Sequence, residues 1–346
     1  MYIKLMNEEN KNIYISSWLL LITILVGLII VVGGLTRLTD SGLSITKWDL
    51  VSGIIPPFST LEWEAAFSLY KEIPEYKLQN FNMSLNEFKV IFWWEYAHRL
   101  LGRIIGLFYI IPLIFFTIKF KLSKKFTISL YTIFFLILLQ GFIGWYMVSS
   151  GLSEATDVSH YRLSIHLTLA FFIFTLLLWN FLKLKDKETI AYKKKVSFLL
   201  PNIFFILLII QISIGALVSG LDGGQVYTTW PLMNENFFPD DSSFNEIFSL
   251  KSFEKVSLVQ FIHRNLAYLI FVLFLIMLIK IYKNKELFYL KKNIIIVFIF
   301  LTFQIFLGII TVLSGATILY ASLHQIGSIL LVSITLLLVY KNYKTN

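Results

Sequence analysis

The sequence predicts an all-α integral membrane protein, because its composition is strongly apolar, its apolar residues form eight long segments, and its lysines cluster between alternate segments. Of its 346 residues, 57% are hydrophobic and 15% are charged, whereas soluble domains carry about a quarter charged residues. A soluble fold of this composition would expose large apolar patches, and a disordered chain needs the opposite composition. The chain has no cysteine, which excludes disulfide frameworks, cysteine-ligated zinc, iron–sulfur clusters and c-type heme.

Eight apolar segments are each long enough to cross a bilayer, which takes about 20 helical residues. They cover approximately residues 15–37, 91–118, 126–148, 162–182, 197–219, 259–281, 293–314 and 320–340. Pro112 lies inside the second segment and Pro201 near the start of the fifth, and membrane helices tolerate proline at such positions. We therefore predict eight transmembrane helices, called spans 1 to 8.

The distribution of basic residues predicts the orientation of these spans. One side of the predicted membrane holds the segment before span 1, the segments between spans 2–3, 4–5 and 6–7, and the segment after span 8. These segments and the adjoining helix ends carry 19 of the 30 basic residues but only 5 of the 21 acidic residues. Because Lys and Arg are retained on the cytoplasmic side, both termini are predicted to be cytoplasmic. Lysine runs such as Lys193–Lys195 are accordingly interpreted as topology signals and not as nucleic-acid sites.

The long loops after spans 1 and 5 are then predicted to face outward. They carry Trp and Pro residues, and loops of this length are usually functional or disordered, so we expect ordered lids. Leu61–Tyr70 is predicted to form a short amphipathic helix on the membrane surface. Asp40 and Asp222, with glycines close by, are predicted to shape the turns that follow spans 1 and 5.

Four motifs recur in the same order and indicate an internal repeat. In the first half they comprise Asp40, Gly42, Thr46 and Trp48, then His98-Arg99, then Gln140, Gly144 and Ser150-Gly151, then His166. In the second half they comprise Asp222, Gly224, Thr228 and Trp230, then His263-Arg264, then Gln304, Gly308 and Ser314-Gly315, then His324. We predict two four-helix bundles, residues 1–190 and 191–346, arranged as parallel repeats because each half holds an even number of spans.

Four of the five histidines, His98, His166, His263 and His324, lie a few residues inside the outer ends of spans 2, 4, 6 and 8. Ionisable residues within a membrane are costly and indicate function, and two facing imidazoles in a helix bundle can bind heme iron axially. We pair His98 with His166 and His263 with His324 as metal ligands. Isolated interfacial hydrogen bonding and zinc binding are the alternatives, although both pairs lack a third zinc ligand. His160 falls outside the pattern and is interpreted as an outer-loop residue.

One difference between the halves predicts unequal roles. Glu95 precedes His98 by three positions and shares its helix face, whereas Gln260 holds the equivalent place before His263. The first site is then expected to carry out chemistry while the second stores or relays electrons. Glu95 is a candidate proton acceptor, or a stabiliser of a cationic intermediate. A salt bridge to Arg99 is its structural alternative.

Three arginines accompany the candidate ligands. Arg99 and Arg264 directly follow histidines, and Arg162 lies one turn before His166. Their guanidinium groups suit the carboxylates of heme propionates, with snorkelling to the interface or pairing with loop acids as the alternative. The Gln-x3-Gly motif of spans 3, 5 and 7 is typical of helix-packing contacts.

The combined motifs resemble the heme A synthase family, over approximately residues 20–335, in its cysteine-free mitochondrial and alphaproteobacterial type. Other bacterial members carry a cysteine pair in an outer loop, and its absence here argues against a thiol-linked step. The residues that carry the resemblance are Gly33–Ser44, Trp48, Gly53, Pro56–Pro57, Trp94–Arg99, Gly141–Leu152, Tyr161–Leu167, Gly215–Gly224, Asn265 and His324–Gln325.

This resemblance implies an oxidoreductase of the inner membrane that converts the C8 methyl of heme O to a formyl group, making heme A for cytochrome oxidase. By similarity, His98 and His166 would frame the substrate heme, and His263 and His324 would ligate a resident heme b near the outer face. Glu95 matches the essential glutamate of the family, which favours its catalytic interpretation. The resemblance also implies an electron-transfer partner that the residues do not identify. Association with heme O synthase or oxidase assembly factors would fit this role, but no residue indicates it.

Two other functions compete with this interpretation. A non-catalytic diheme b electron carrier would need two equivalent resident hemes, and the Glu95–Gln260 difference argues against it. A small-molecule transporter would share the two-half architecture, but it would not need four histidines placed by a repeat.

Overall fold

The computed structural model describes residues 8–48, 52–154, 156–185, 196–197 and 199–343. Within them, eight helices are long and apolar enough to cross a membrane, which confirms the predicted number. These helices are α1 Glu8–Leu38, α4 Leu85–Lys119, α5 Lys124–Glu154, α6 His160–Lys185, α7 Leu199–Gly220, α8 Val256–Lys283, α9 Phe288–Leu313 and α10 Ile318–Tyr343. The chain is therefore a multi-pass membrane protein.

Several of these helices extend beyond the apolar segments that predicted them, and α4 shows the reason. It begins at Leu85, six residues before the predicted span. A capping box starts it: the Ser84 hydroxyl accepts from the backbone N–H of Glu87, and the Glu87 carboxylate accepts from the backbone N–H of Ser84 at 2.8 Å. Such a cap satisfies the free N–H groups of a polar first turn, which an apolar pattern does not detect.

The loop between α1 and α4 contains two short helices, α2 Thr60–Tyr70 and α3 Pro74–Leu78. Helix α2 confirms the helix predicted at Leu61–Tyr70, while its place at a membrane surface stays a prediction. Its residues Trp63, Phe67 and Tyr70 are buried, and the Phe67 and Tyr70 rings pack on Phe88 of α4 at 5.0 and 5.2 Å. This aromatic contact holds α2 against α4; that the loop, called the first lid below, covers the site stays a prediction.

The loop between α7 and α8 is also packed by specific contacts. The Tyr227 hydroxyl donates to the Asp240 carboxylate at 2.5 Å, and the rings of Phe237 and Phe238 lie 5.7 and 5.0 Å from Phe261 at the start of α8. These contacts pack the loop against α8, and its predicted role as an outward-facing lid stays a prediction.

The turns after α1 and α7 confirm the predicted roles of Asp40 and Asp222. Both residues have positive φ, 46° and 52°, a left-handed conformation that Asp adopts more readily than most residues. In both turns the following N–H returns to the last helical turn, from Ser41 to the carbonyl of Thr36 at 2.9 Å and from Gly223 to that of Val218 at 2.8 Å.

The chain divides into two compact units between Ile173 and Phe174. The predicted boundary after residue 190 falls in the 186–195 segment, outside the described residues, as does the Lys193–Lys195 run. In the first unit, α1 packs along α4, where the Trp18 indole N–H donates to the Phe108 carbonyl at 2.9 Å. In the second, α7 packs on α8 and α9 on α10. The repeat relation between the halves stays a prediction.

Candidate functional site

His98 of α4 and His166 of α6 face each other in the first unit. Their ring centroids are 6.4 Å apart and the rings are inclined by 63°. A metal ion bonded to one nitrogen of each imidazole, with bonds of about 2 Å, would place the two ring centres about 6 Å apart. The spacing therefore fits one metal ion held between the two rings, as the sequence predicted for this pair.

Each of these rings rests on a glycine of the preceding long helix. A Cβ atom added at Gly33 of α1 would lie 2.8 Å from Cε1 of His98, and one at Gly144 of α5 would lie 3.0 Å from Cε1 of His166. Nonbonded carbon atoms normally approach to about 3.5–4.0 Å. Glycine at 33 and 144 thus provides the space that each imidazole occupies.

The second unit repeats this arrangement. Its candidate ligands are His263 of α8 and His324 of α10. A Cβ atom at Gly215 of α7 would lie 3.1 Å from Cε1 of His263, and one at Gly308 of α9 would lie 3.0 Å from Cε1 of His324. All four candidate ligands therefore lie against a glycine in the preceding long helix.

The imidazole nitrogens have unused bonding capacity. Nδ1 of His98, His166 and His263 is buried and has no hydrogen-bond partner among the residues that the structure describes. Buried polar atoms are normally paired, so these nitrogens are suited to a bound group. In the same described part of the chain, no cluster of three or more His, Asp or Glu side chains could hold a metal. Two imidazoles per site, in an apolar bundle, fit axial ligation of heme iron and do not complete a zinc site.

Three glutamines hold the main chain at three of the four histidines. Side-chain Nε2 of Gln140, Gln211 and Gln304 donates to the backbone carbonyls of His166, His263 and His324 at 3.0, 2.9 and 2.9 Å, respectively. The interpretation of Gln-x3-Gly as general helix packing missed this contact. The spacing of the motif indicates this contact. In each case the Gln stands four residues before a glycine, and the histidine of the next helix rests on that glycine.

Glu95 is 2% exposed and its carboxylate is surrounded by donors. It accepts hydrogen bonds from the Ser44 hydroxyl at 2.7 Å, the Ile45 N–H at 2.7 Å, and Nη2 and Nε of Arg99 at 2.6 and 3.0 Å. The salt bridge considered as the alternative is therefore present. The hydrogen bonds from Ser44 and Ile45 also tie α4 to the loop that follows α1, one helical turn from His98.

Arg99 and Arg264 make matching contacts in the two units. Arg99 donates to the carbonyls of Ile45 and Lys47 at 2.9 and 3.2 Å, and its guanidinium lies over the Trp48 ring at 4.6 Å. Arg264 donates to the carbonyls of Tyr227 and Thr229 at 2.7 and 2.9 Å and of Leu232 at 3.3 Å. Each side chain holds the loop that precedes its own helix. Whether it also binds a heme propionate stays a prediction.

Gln260 completes the comparison with Glu95. Its Nε2 donates to the carbonyls of Gly223 and Tyr227 at 2.8 and 3.1 Å. Both residues bind the loop that precedes their own helix, but Glu95 accepts hydrogen bonds from the loop through a carboxylate, whereas Gln260 donates hydrogen bonds to it through an amide. The two sites therefore differ in charge, a carboxylate at Glu95 against an amide at Gln260, although both side chains bind the neighbouring loop in a similar way.

Two further predicted positions, Arg162 and His160, lie in the first turn of α6. Arg162 donates to the Ser150 hydroxyl, and its guanidinium lies 4.5 Å over the Tyr146 ring of α5. Its predicted propionate role stays a prediction. His160 is the first residue of α6, and its ring packs 4.2 Å from Tyr161; it therefore belongs to a helix end and not to the loop that was expected.

A buried carboxyl in the first lid was not anticipated from the sequence. Glu75 of α3 is 3% exposed and accepts hydrogen bonds from the Tyr70 hydroxyl at 3.0 Å and from the Asn80 amide at 3.3 Å. Loss of hydration on burial raises the pKa of Glu75 to about 8. No motif in the sequence distinguishes Glu75 from the exposed acids around it.

Comparisons with known proteins support a single family. Residues 16–336 match the model of the COX15-CtaA family, described as a cytochrome oxidase assembly protein. The chain is 51% identical over 340 residues to the heme A synthase of Pelagibacter ubique (strain HTCC1062), covering 97% of this chain and 98% of that protein. It is 42% identical over 336 residues to the heme A synthase of Rickettsia bellii (strain RML369-C), with 94% and 97% covered. It is 40% identical over 323 residues to that of Sinorhizobium fredii (strain NBRC 101917 / NGR234), with 93% and 88% covered.

Proposed function

The chain belongs to the COX15-CtaA family of cytochrome oxidase assembly proteins, and from this premise we propose that it is a heme A synthase. It oxidises the C8 methyl group of heme O to a formyl group, which removes four electrons and makes heme A for cytochrome oxidase. The enzyme is multi-pass in the inner membrane, and its histidine pairs lie near the outer face. A long farnesyl tail on the substrate suits a site between membrane helices.

The observation that carries this proposal is the pair His98–His166 with Glu95 one helical turn away. The 6.4 Å between the two ring centroids suits a heme held through its iron, and we assign the substrate heme to this pair. The pair His263–His324 has an amide, Gln260, in the place of the carboxylate, and we assign it a resident heme b. Bound heme supplies the redox chemistry, while the protein supplies orientation and electrostatics.

The residues around the substrate site have distinct tasks in this proposal. His98 and His166 orient the heme, and the glycines beneath their rings fix how deeply it enters the bundle. Glu95 provides a carboxylate whose position is set by Ser44, Ile45 and Arg99. This carboxylate accepts the proton that leaves the methyl group or stabilises positive charge that develops there. The first lid, tied to Glu95 and Arg99, keeps water from the site.

Electrons must leave the substrate, so the proposal includes an electron-transfer partner. Heme O is delivered by the enzyme that adds the farnesyl group, heme O synthase, and heme A is passed to the oxidase and its assembly factors. These contacts are inferred from the reaction that the family name describes.

The decisive experiment expresses the protein in a host that makes heme O but not heme A, followed by pigment extraction. Wild type is compared with Glu95→Ala and with Glu64→Ala, which removes an exposed carboxylate of α2. We expect heme A from wild type and from Glu64→Ala, and none from Glu95→Ala. If heme O is neither bound nor altered by wild type when a competent electron partner is supplied, the proposal is wrong.

A diheme electron carrier is the second candidate, and the similarity of the two histidine–glycine arrangements favours it. It predicts that both pairs hold heme b permanently, without covalent change. The same extraction distinguishes the two, because a carrier would yield heme b from both sites and no heme A from any variant.

A further inference from the structure

Four hydrogen bonds reach the Glu95 carboxylate, and three of them come from groups that can only donate. Nε and Nη2 of Arg99 lie 3.0 and 2.6 Å from Oε1, and the backbone N–H of Ile45 lies 2.7 Å from Oε2. Neither a guanidinium group nor a peptide N–H accepts a hydrogen bond. These three contacts therefore bind the ionised carboxylate and offer no acceptor to the proton of a carboxylic acid.

Ser44 makes the fourth contact, and its chemistry differs from that of the other three. Its hydroxyl donates to Oε2 of Glu95 at 2.7 Å and has the carbonyl of Ile91 as a second acceptor at 3.3 Å. A hydroxyl has one proton and two lone pairs, and its proton rotates to suit its neighbours. When Oε2 carries a proton, that proton can point to Oγ of Ser44 while the hydroxyl proton turns to Ile91.

Burial makes this exchange important. Ser44 and Glu95 are both 2% exposed, so bulk water does not supply an acceptor in place of the hydroxyl. A buried O–H without an acceptor is costly, because it has lost its hydrogen bond to water and gained none in return. Among the contacts of Glu95 in the described part of the chain, Ser44 is the group that can pair with a proton on Oε2.

The second unit lacks both members of this pair. The repeated motifs align Ser44 with Val226 and Glu95 with Gln260. An amide does not titrate near neutral pH, and valine has no hydroxyl. The hydroxyl thus accompanies the carboxylate and is absent where an amide replaces it, although the two loops make similar contacts with their helices. This coincidence favours a role in proton chemistry over a general role in holding the loop.

We propose that Ser44 is a positioning residue that lets Glu95 take up and release a proton within the buried site. This inference rests on the proposed function, and it selects proton acceptance from the two roles given there to Glu95. A carboxylate that only stabilised positive charge would need donors alone.

The proposed step is balanced in atoms and electrons. When a C–H bond of the substrate methyl group breaks, its proton forms an O–H bond at Oε2 of Glu95, which becomes neutral, and its electron pair leaves to the electron-transfer partner. The new O–H donates to Oγ of Ser44, and the Ser44 proton turns from Oε2 to the carbonyl of Ile91. The number of hydrogen bonds is unchanged, and release of the proton reverses both rotations.

Two charged neighbours of Glu95 do not replace Ser44 in this role. Arg99 lies on the same helix and binds Oε1, where it only donates. Glu75 of α3 acts on Glu95 through its charge, but its own carboxyl is bound by Tyr70 and Asn80.

The first test asks whether Glu95 can hold a proton, and it needs no substrate. Infrared difference spectra are recorded while the purified full-length protein is acidified, and the band of the protonated Glu95 carboxyl is identified by its loss in Glu95→Gln. We expect this band in wild type, and we expect it at a higher wavenumber in Ser44→Ala, because hydrogen bonding weakens the bonds of a carboxyl group. Absence of the band from folded wild-type protein at every pH contradicts the inference, as does an unchanged band in Ser44→Ala.

The control for this test is Ser41→Ala. Ser41 belongs to the same turn, is fully buried, and its hydroxyl bonds Thr39. The same substitution at 41 therefore removes a buried hydroxyl that does not contact Glu95. We expect the Glu95 band to stay in place in Ser41→Ala. An equal shift in both variants would mean that the hydroxyls act only by holding the loop, which would overturn the inference.

The second test compares Ser44→Val with Ser44→Thr, which add the same bulk and differ in one hydroxyl. Formation of heme A from bound heme O is followed in a single turnover, with heme b at the second pair as the measure of folding. Ser44→Val should be slower than Ser44→Thr by about 10- to 100-fold, the effect of leaving one buried O–H without an acceptor. Binding of heme O should be equal in the two variants. Equal rates would contradict the inference.

Failure of the inference is separable from failure of the function. Wild-type protein that makes no heme A when heme O and a competent electron partner are supplied contradicts the proposed function itself. Wild-type protein that makes heme A, with Ser44→Val and Ser44→Thr equally fast, contradicts only the inference.

Discussion

Replacing Gly33 with alanine tests whether the glycine contact beneath His98 positions the substrate heme. The new Cβ would lie 2.8 Å from Cε1 of His98, and reaching an ordinary carbon–carbon contact of about 3.5–4.0 Å requires the ring or helix α1 to move by about 0.7–1.2 Å. Metal–ligand distances tolerate only about 0.2 Å. The imidazole would therefore leave the position in which it can bind iron.

The expected loss in rate is large, because a misplacement of about 1 Å at a reacting centre costs on the order of 100-fold. Gly106→Ala is the matched control: it adds the same methyl group to α4, where none of the described atoms lies within 4 Å of the new Cβ. Helix propensity favours alanine over glycine by about 1 kcal/mol in both variants, so weakened helices cannot explain a difference between them.

The assay is the amount of heme A extracted per mole of protein from the host that makes heme O, with heme b retained at the second pair as the measure of folding. We expect Gly33→Ala to lose heme A formation while keeping heme b, and Gly106→Ala to behave as wild type. Heme A at the wild-type level in Gly33→Ala would refute the reasoning that the ring needs this space.

Three further predictions concern the lid, its arginine and the start of α4. Burial raises the pKa of Glu75 to about 8 from an ordinary 4.5, so the folded lid holds this proton more tightly than the unfolded chain. The stability that protonated Glu75 gives the folded lid is complete below about pH 4.5 and is lost as pH rises through 8. Proteolysis within the lid should therefore be faster at pH 9 than at pH 6. Glu75→Gln should remove this difference between the two pH values. Arg99→Lys should reduce heme A formation strongly, because an ammonium cannot reproduce the fork that binds Glu95 and two loop carbonyls. Arg37→Lys is the control, because the carboxylate that Arg37 pairs with, Asp40, is exposed, and its heme A yield should stay near that of wild type. Equal heme A yields from Arg99→Lys and Arg37→Lys would contradict the role given to the Arg99 fork. Ser84→Ala should lower stability by about 1 kcal/mol, seen as a lower melting temperature in detergent; an unchanged melting temperature would mean that the cap contributes nothing.

Much of the fold can be predicted from the sequence, because each membrane-spanning helix is formed by one continuous apolar segment. Eight apolar segments predicted eight long helices, and all eight are present. The capping pair Ser84–Glu87 extends α4 beyond its apolar segment, since a cap acts through two hydrogen bonds and not through hydropathy. The prediction of turns at Asp40 and Asp222 succeeded because a left-handed residue after a helix is also a local requirement.

The candidate site was predictable only in part. Repeat spacing identified the four histidines and the Glu95–Gln260 difference, and the family resemblance is confirmed by relatives up to 51% identical among those compared. Gln140, Gln211 and Gln304 were interpreted as general packing residues, because sequence spacing does not reveal which atom on a neighbouring helix an amide reaches. Arg99 and Arg264 bind loop carbonyls, contacts that the sequence did not specify, and their expected role at heme propionates stays a prediction.

The sequence alone predicted the membrane class, the number of helices, the family and the candidate ligands. It did so through its composition, the length of its apolar segments and the order of its repeated motifs. Each of these properties depends either on residues that are close together in the chain or on the composition of the whole chain. The glycines beneath the imidazoles, the amides behind them and the buried Glu75 emerged only in three dimensions. Those contacts depend on how each helix is rotated and shifted against its neighbour, and displacements of a few tenths of an ångström decide them.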